Sequence, residues 1–470
     1  MTVGGGDARL LGVMWGPFSQ QPVDADIRDG RIVRVSPARP DRGRGASDAA
    51  GRQRVLAGIH DRHLHLFAMA AAAASLVCPA DMSRAQWRDA VRAHAVGADG
   101  WLRVTGAHES FTGDLDARAL DALRPDVPVR VQHRTGMVWM LNSAALGRLG
   151  PLDHEGIERD ARGEPTGRIW RADAWLGERM PRRAPDLAAV GARLLRHGVT
   201  SVTDATPDLD ASSLALLTDA VRRGDLPQRV TLLGAPLGWR VEEPRVQVGA
   251  FKIVLDEAAL PELDTLAGDI ARIHDAGRPV AVHCVTAASA HLLVLAWELA
   301  GTRRGDRIEH GSVLPPSVIA RLATMRIEVV TQPGFLSARG DGYLRDVDPV
   351  DQPSLYPLRE LRDAGVRSRF SSDAPYGPLD PARWLRSAVD RRSASGATVI
   401  PAQRLSWNEA VCALGVVPRV GDAADLIVVD DDLERTVRVD RSPLSPHRVM
   451  INGVDAPLEE MRKSLSGDIR

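Results

Sequence analysis

Two histidines separated by one residue are the first feature of this chain that could bind a metal ion. His63 and His65 lie in the segment GIHDRHLHLF. Alternate residues of a β-strand point to the same side, so a strand here would direct both imidazoles to one point. Imidazole nitrogens suit zinc and neighbouring first-row metals. Such a pair is also compatible with an ordinary half-exposed strand, so by itself it is a weak indication.

Three further candidate ligands each end a short apolar run. His283 ends PVAVHC, His310 ends DRIEHG and Asp373 ends RFSSDAP. Each has a structural alternative: His283 as a core histidine bonded to a carbonyl, His310 paired with Glu309, and Asp373 as a helix cap. Their common position at the ends of different runs favours a joint interpretation. We therefore predict one metal cluster.

A lysine occupies an unusual position in the apolar segment GAFKIVLDE. Lys252 and Lys463 are the only lysines, so all but two of the 60 basic residues are arginine. A charged lysine is costly to bury and would be expected to extend towards the surface. A neutral amine, unlike a guanidinium, can add CO2 to form an anionic carbamate whose oxygens could bridge two cations. Lysine at this position favours the second interpretation.

The elements that must position these residues are eight apolar runs alternating with amphipathic helical patterns. The alternation predicts a parallel sheet with crossover helices. The runs lie near residues 58–66, 199–205, 229–235, 250–256, 279–284, 306–311, 327–333 and 366–373. Eight strands close a (β/α)8 TIM-like barrel, whose active sites form at the carboxyl ends of the strands. We therefore predict an α/β fold of that type.

Both ends of the chain show a pattern typical of short β-strands. Tight turns are expected at Asp29-Gly30 and at Asn452-Gly453. We predict a small composite β-sandwich domain from residues 1–56 plus 415–470 and a barrel domain over residues 57–414. The gap after the first run predicts an insertion at about residues 67–197, with strand-like segments WLRVTGA and PVRVQH.

Composition restricts the possible partners and compartment. The 470 residues are 44% hydrophobic, which excludes a mainly disordered protein, and 60 basic against 61 acidic residues provide no global field for nucleic acid or membrane. Three distant cysteines without CxxC spacing exclude a disulfide scaffold and a thiolate zinc site. We expect a cytoplasmic protein without a membrane segment that binds a small-molecule substrate. A homo-oligomer is compatible with the sequence.

Taken in order along the chain, these motifs resemble the amidohydrolase superfamily. The resemblance rests on DRHLH, FKIVLD, VHC, RIEHG, SSDAP and the closing ADLIVVD, and it extends over nearly the whole chain. The segments HGVTSVTDA, LNSAALGRLG and GEPTG are similar to the branch that contains N-substituted formamide deformylases, of the amidohydrolase family 3 type.

The resemblance implies a (β/α)8 barrel, a composite β-sandwich and a centre of two divalent metal ions, with zinc expected. It also implies the roles of the ligands: His63 and His65 for one ion, His283 and His310 for the other. Lys252, carbamylated by CO2, would bridge the ions. Asp373 would bind metal and act as the catalytic base.

These roles predict the hydrolysis of a carbon–nitrogen bond. A metal-bound water loses its proton near neutral pH and attacks a polarised carbonyl carbon, while Asp373 accepts the proton and passes it to the leaving nitrogen. Asp61 is expected to orient the site from behind the ligands, or else to cap a strand end. Arg134, Trp139 and Asn142 are candidate substrate contacts, although Trp139 could equally be a core residue.

Two other functions remain open. A mononuclear deaminase of a heterocycle in this superfamily typically carries a glutamate shortly after the histidine of the fifth strand, and CVTAAS contains none. A non-catalytic interaction protein on the same barrel would be expected to have lost ligands, whereas every position is filled here. The sequence therefore favours a metal-dependent hydrolase of an amide, formamide or cyclic amide.

Overall fold

The chain divides into two compact units. The computed structural model describes residues 6–38, 53–78, 82–97, 99–180 and 184–457. One unit combines Met1–Leu66 with Leu187–Arg470, and the other is Phe67–Asp186.

The described residues contain 22 strands. In chain order they are β1 (Ala8–Trp15), β2 (Pro22–Arg28), β3 (Arg31–Pro37), β4 (Gln53–Ala57), β5 (Ile59–Leu64), β6 (Leu76–Val77), β7 (Leu102–Ala107), β8 (Val129–His133), β9 (Val138–Leu141), β10 (Ile157–Arg159), β11 (Pro165–Trp170), β12 (Val199–Asp204), β13 (Arg229–Leu232), β14 (Val246–Val248), β15 (Phe251–Val254), β16 (Val280–Cys284), β17 (Arg307–His310), β18 (Glu328–Thr331), β19 (Ser368–Phe370), β20 (Leu426–Asp430), β21 (Arg448–Ile451) and β22 (Val454–Asp455).

The same residues contain 15 α-helices. They are α1 (Leu66–Ala73), α2 (Arg84–Ala93), α3 (Glu109–Thr112), α4 (Ala117–Asp121), α5 (Ser143–Leu146), α6 (Asp173–Arg179), α7 (Leu187–Arg196), α8 (Ala211–Arg223), α9 (Leu263–Asp275), α10 (Ala287–Ala300), α11 (Pro316–Met325), α12 (Gly334–Asp346), α13 (Leu358–Asp363), α14 (Pro381–Asp390) and α15 (Trp407–Leu414). Short helical turns lie at Gln352–Ser354, Pro401–Gln403 and Arg435–Val439. No helix of the described part combines the length and apolar character needed to cross a bilayer.

Strands from both ends of the chain form one seven-stranded sheet. Its order is β22-β21-β20-β4-β1-β2-β3. The two predicted turns are confirmed: Asp29 and Gly30 have φ of 47° and 70°, and Asn452 and Gly453 have φ of 51° and 75°. Two successive positive φ values match the twist of a two-residue hairpin, and Asn, Asp and Gly tolerate them best. The predicted sandwich and its boundaries stay predictions, and residues 1–5, 39–52 and 458–470 of that range lie outside the described residues.

Two parallel sheets contain all eight predicted core strands. Their orders are β14-β13-β12-β5 and β15-β16-β17-β18-β19. The one addition is β14, which precedes β15 and pairs with β13. Alternating helices and apolar runs therefore predicted the parallel pairing correctly, because a parallel connection needs a crossover long enough for a helix.

Backbone hydrogen bonds also cross the edges of these two sheets. Lys252 N donates to Leu233 O at 3.2 Å, beyond the end of β13. At the opposite edge Asp373 N donates to His63 O at 2.8 Å, and His65 N donates to Ala374 O at 2.9 Å. The segment after β19 therefore lies beside β5, which brings Asp373 next to the histidine pair.

An apolar layer between the second parallel sheet and its helices stabilises the strands that carry the ligands. Side chains of α9, α10 and α11 pack on the strands, including Ile270, Trp297 and Ile319 against Val282 and Ile308. Full burial of each such side chain contributes about 1.5–3 kcal/mol. Substitution of these residues is expected to act on folding rather than on chemistry.

The unit Phe67–Asp186 has its own sheet, with the order β10-β11-β9-β8-β7-β6. The predicted strands WLRVTGA and PVRVQH are confirmed as β7 and β8, which pair in parallel. Two separate apolar clusters pack within this unit, one around Trp87 and Val104 and the other around Trp101 and Leu141. The predicted bounds of the insertion stay a prediction.

Candidate active site

His63, His65 and Asp373 converge at the carboxyl end of β5. Nε2 of His65 lies 3.3 Å from Oδ1 of Asp373, and Nε2 of His63 lies 3.7 Å from the same atom. The three side chains offer ligand atoms that all lie within 4.8 Å of one another. His63 and Asp373 are buried, while His65 keeps some exposure. The arrangement can hold one metal ion.

His283 and His310 lie on the same side of the strands. The ring of His310 is 4.6 Å from that of His63 and 4.4 Å from that of His283, centre to centre. The four rings therefore form a series that runs from His65 and His63 at β5 to His310 at β17 and then to His283 at β16. The pairing of His310 with Glu309, considered from the sequence, is wrong: His310 Nδ1 contacts Gln332 Oε1 at 2.9 Å instead.

Three of the histidines have Nδ1 occupied by another side chain. Glu309 contacts Nδ1 of His63, Gln332 contacts that of His310, and Thr206 Oγ1 lies 3.2 Å from that of His65. A histidine that donates from Nδ1 presents the lone pair of Nε2, and metal-binding histidines are commonly held in this way. Sequence reasoning missed Glu309, Gln332 and Thr206 in this role. In the sequence, only their positions near the ends of predicted strands indicated that these three residues lie close to the site.

The carboxylate of Asp373 has a buried oxygen without a partner. Oδ1 accepts no hydrogen bond from any described residue, although two imidazole Nε2 atoms lie near it. An unsatisfied buried acceptor costs about 1–3 kcal/mol, and more when it carries charge. Lone pairs of two imidazoles and a carboxylate that face one point are stabilised by a cation at that point.

Lys252 is buried in β15, with 6% of its surface exposed. Burial lowers the pKa of its amine, although the charges of Glu309 and Asp373 oppose that shift. Loss of hydration disfavours the ammonium form, so the neutral amine is more populated here than it would be on the surface. The expectation that a charged Lys252 would extend to solvent is wrong.

Three of these histidines, His63, His283 and His310, have a pKa below the ordinary value, which favours the neutral form that binds metals. Burial is the main cause that lowers the pKa of His63 and His310 well below the usual range, and it also lowers the pKa of His283. The positive charge of Lys252 contributes in each case. Neutral imidazoles have a lone pair to donate, so the electrostatics suit a metal centre.

Two of these residues have a strained backbone. His310 has a φ of 72° and Asp373 a φ of 54°. The left-handed region costs a residue other than glycine about 1–3 kcal/mol, and such strain concentrates at functional sites. His310 is the last residue of β17, and Asp373 follows the end of β19. Both residues therefore lie where the regular strand conformation ends.

The sequence pattern of the amidohydrolase family matches residues 46–454. The chain belongs to that family. This amidohydrolase is therefore an enzyme, a metal-dependent hydrolase that acts on carbon–nitrogen bonds other than peptide bonds.

Individual relatives of the amidohydrolase are distant. The N-substituted formamide deformylase of Arthrobacter pascens is 25% identical, over 91% of this chain and 93% of the relative. A metal-dependent hydrolase structure from Pyrococcus furiosus has a TM-score of 0.69 at 20% identity, with 90% of this chain and 98% of that chain covered. Zinc-complexed atrazine chlorohydrolase from Arthrobacter aurescens has a TM-score of 0.54 at 15% identity, with 98% and 100% covered. The two structures show similarity of fold alone.

Asp61 of the amidohydrolase lies behind the ligands in β5. Its carboxylate accepts hydrogen bonds from His63 N at 3.3 Å and Ser372 N at 3.0 Å, and from the hydroxyl of Ser372. Burial raises the pKa of Asp61 to about 7, although these hydrogen bonds oppose the shift. Asp61 thereby links the backbone of His63 to that of Ser372, the residue before Asp373, which is the geometry expected of a positioning residue.

The predicted substrate contacts Arg134, Trp139 and Asn142 all lie in the other unit of the amidohydrolase. Arg134 is exposed, in the segment after β8. Trp139 is 6% exposed, and the guanidinium groups of Arg103 and Arg130 each lie 5.6 Å from its ring centre. Its core-packing alternative agrees with that burial.

The structure corrects the expectation for Asn142. Its Oδ1 accepts hydrogen bonds from Val129 N and Ala145 N, both at 2.9 Å, and its Nδ2 donates to Arg124 O and Val127 O, both at 2.8 Å. Asn142 is fully buried as the N-terminal cap of α5. The amide is fully used by the backbone, so Asn142 supports the fold rather than a substrate.

Proposed function

We propose that this amidohydrolase hydrolyses an amide, formamide or cyclic amide at a centre of two divalent cations formed by His63, His65, Lys252, His283, His310 and Asp373. The observation that carries the proposal concerns the buried Oδ1 of Asp373. This oxygen lies near the Nε2 atoms of His63 and His65 but accepts no hydrogen bond from any described residue. A cation compensates the cost of this arrangement.

The donor set fits the first ion. His63, His65 and Asp373 supply two nitrogens and one oxygen, and three protein ligands with an open position are typical of catalytic zinc sites. Zinc is therefore the proposed metal.

His283, His310 and Lys252 fit the second ion. The two rings lie 4.4 Å apart, and burial lowers the pKa of Lys252, which favours the neutral amine that reacts with CO2. A carbamate on Lys252 would supply two anionic oxygens where the buried ammonium is unfavourable. The alternative with one ion uses His63, His65 and Asp373 alone and needs no change at Lys252.

When bound, the cations acidify a water molecule and polarise the substrate carbonyl. Asp373 contributes to the reaction directly. Its carboxylate accepts a proton from the attacking water, which adds to the carbonyl carbon, and then delivers the proton to the nitrogen as the C–N bond breaks. Asp61 keeps Asp373 in place through the backbone of Ser372. The products are a carboxylic acid and an amine, and the two groups stay joined in one molecule when the substrate is a cyclic amide.

Formamides are the proposed substrates to test first. The A. pascens relative is named as an N-substituted formamide deformylase and aligns with most of this chain. Water and an N-substituted formamide would here produce formate and the corresponding amine.

The proposed architecture is a closed (β/α)8 barrel over residues 57–414, with an insertion at about 67–197 and a composite β-sandwich of residues 1–56 plus 415–470. Closure is supported by the backbone hydrogen bonds from Lys252 N to Leu233 O and from Asp373 N to His63 O. A reducing cytoplasm is the proposed compartment, supported by the free cysteines Cys78, Cys284 and Cys412.

Metal analysis combined with a substrate screen tests the proposal. The purified protein is reconstituted with zinc, its metal content is measured, and N-formyl, N-acyl and cyclic amides are assayed. Two ions associated with the six named ligands and turnover of one of these classes are expected. One ion at those ligands would favour the mononuclear alternative, and activity only on a heterocyclic amine would establish a deaminase instead.

A further inference from the structure

A second cluster of metal-binding side chains lies entirely within the unit Phe67–Asp186. His108 directly follows β7, and His133 is the last residue of β8. The two strands are parallel neighbours, with Ala107 paired to His133. Parallel pairing therefore brings both imidazoles to the same end of the sheet, where Glu109 begins α3.

The three side chains converge through the atoms that ligate metals. Oε1 of Glu109 lies 3.3 Å from Nε2 of His108, and Oε2 lies 2.9 Å from Nε2 of His133. All the ligand atoms lie within 4.8 Å of one another. Zinc–ligand bonds of about 2.0–2.1 Å in a tetrahedral site separate the ligand atoms by about 3.3 Å. Small side-chain movements are sufficient to reach that separation.

A hydroxyl group lies beside Nδ1 of each histidine. Ser110 Oγ is 2.8 Å from Nδ1 of His108, and Thr135 Oγ1 is 2.8 Å from Nδ1 of His133. Either hydroxyl can accept a hydrogen bond from Nδ1–H, which leaves the lone pair of Nε2 for an ion. The backbone N–H groups of Ser110 and Thr135 also point to these atoms, at 3.2 and 3.3 Å. A change of tautomer gives up those two long hydrogen bonds, so binding is expected to be weaker than at a buried site.

Exposure and charge are compatible with entry of an ion from solvent. The side chains of His108, His133 and Glu109 are 18%, 17% and 66% exposed. The pKa of Glu109 lies below its ordinary value because the carboxylate accepts hydrogen bonds from its own backbone N–H and from the His133 side chain. The negative charge of this carboxylate offsets part of the charge of a divalent cation.

We propose that His108, Glu109 and His133 form a second divalent-metal site, additional to the proposed catalytic centre. Two imidazoles select zinc and other borderline first-row cations over Mg²⁺ and Ca²⁺, which prefer oxygen ligands. The ion would join the ends of β7 and β8 and keep at least one coordination position for water or a small ligand. The competing interpretation is a metal-free hydrogen-bonded group of two histidines and a glutamate.

Zinc stoichiometry of the full chain distinguishes these interpretations. Equilibrium dialysis against zinc is compared for the wild type, His133→Gln, Glu109→Gln and the matched control His94→Gln, which replaces a histidine of the same unit outside the cluster. The wild type and the control should bind one zinc per chain more than either cluster variant. Equal zinc content in all four proteins overturns the proposal. Circular dichroism verifies that each variant is folded. Glu109→Gln is expected to fold because Glu109 is exposed and glutamine has nearly the same size.

The same comparison in a His65→Gln background separates this site from the proposed catalytic centre. His65→Gln is expected to lower the zinc bound to that centre, whereas the difference of one zinc caused by His133→Gln should persist. If that difference disappears, the extra ion belonged to the catalytic centre and the second site is rejected. Replacement of zinc by Mg²⁺ should yield no extra ion at the cluster, and retention of Mg²⁺ would contradict the proposed selectivity.

Discussion

This molecule contains two groups that each combine two histidines with one carboxylate, and the two groups differ chiefly in burial. His63, His65 and Asp373 lie where the segment after β19 of one parallel sheet runs beside β5 of the other, and Oδ1 of Asp373 has no hydrogen-bond partner among the described residues. His108, Glu109 and His133 lie at a surface, where each carboxylate oxygen contacts an imidazole. Both groups offer two Nε2 atoms and one carboxylate.

The difference shows how burial changes the consequence of an absent cation. A buried carboxylate without a partner is costly, so the first group is destabilising unless an ion compensates it. In the second group the two imidazoles already contact both carboxylate oxygens, and Glu109 is largely exposed, so no ion is needed to compensate its charge. The same residue types can thus form a site that depends strongly on metal and one that binds it weakly and reversibly.

The largest expected effect tests the chemical role of the buried group. Asp373→Asn keeps the size and one ligating oxygen but removes the proton acceptor. We expect kcat to fall by about 10²–10⁴ with at least one ion retained, the usual range for loss of general acid–base catalysis. Steady-state kinetics on the substrate found in the screen measures the effect, with metal content and circular dichroism as controls. A folded Asp373→Asn enzyme with near wild-type kcat would show that the base lies elsewhere.

Replacement of Lys252 tests whether the buried amine contributes a bridge. Lys252→Ala should lose most activity and part of the bound metal, because the carbamate oxygens are absent. A short carboxylate such as acetate should restore part of the activity by occupying the vacated space. Lys252→Arg is the matched control, since it retains the charge but cannot form a carbamate, and it should remain inactive. Full metal content and activity in Lys252→Ala would refute the carbamate.

Replacement of Glu309 tests whether its contact with Nδ1 of His63 contributes to metal binding by the buried group. Glu309→Gln should weaken the hydrogen bond that orients His63 and lower metal affinity about 10–100-fold, the usual effect of removing such a partner. Competition with a chromogenic chelator measures that affinity. Glu328→Gln, which alters a partly exposed strand glutamate near Arg367 and Arg369, is the control. Equal affinities in the two variants would mean that Glu309 does not position His63.

The smallest expected effect belongs to the exposed group. Zinc at about ten times its dissociation constant stabilises the binding-competent state by about 1.4 kcal/mol. Hydrogen exchange at the ends of β7 and β8 should slow by about tenfold where it proceeds through opening of this site. Mass spectrometry of wild type and Glu109→Gln, each with and without zinc, measures the difference. Identical slowing in both proteins would assign the effect to another ion.

Local patterns were sufficient to predict much of the secondary structure. The eight core strands and the turns at Asp29-Gly30 and Asn452-Gly453 follow from short-range features: apolar runs, helical periodicity and residues that tolerate positive φ. Positions at the ends of these runs also identified the residues now found around Asp373. These predictions succeeded because side-chain period and turn conformation depend on neighbouring residues.

Side-chain partners at long sequence separation were not predictable in this way. The contact between His63 and Glu309 spans 246 residues, and that between His310 and Gln332, which follows β18, spans 22. The expected substrate contact of Asn142 was wrong because its amide satisfies four backbone groups that only the folded unit brings together. The spacing of residues along the sequence does not indicate which distant side chains and backbone groups form such hydrogen bonds.

By itself, the sequence determined which residues could ligate metal and which runs would become the strands that carry them, because residue chemistry and local periodicity are properties of the chain. Only the tertiary structure decided which ring nitrogen is occupied in His63, His65 and His310, that Lys252 is buried, and that His108 and His133 meet at Glu109. The last result depends on the parallel pairing of β7 with β8. Burial and contact are set by the packing of distant segments, and that packing determines whether a carboxylate needs a cation or is satisfied without one.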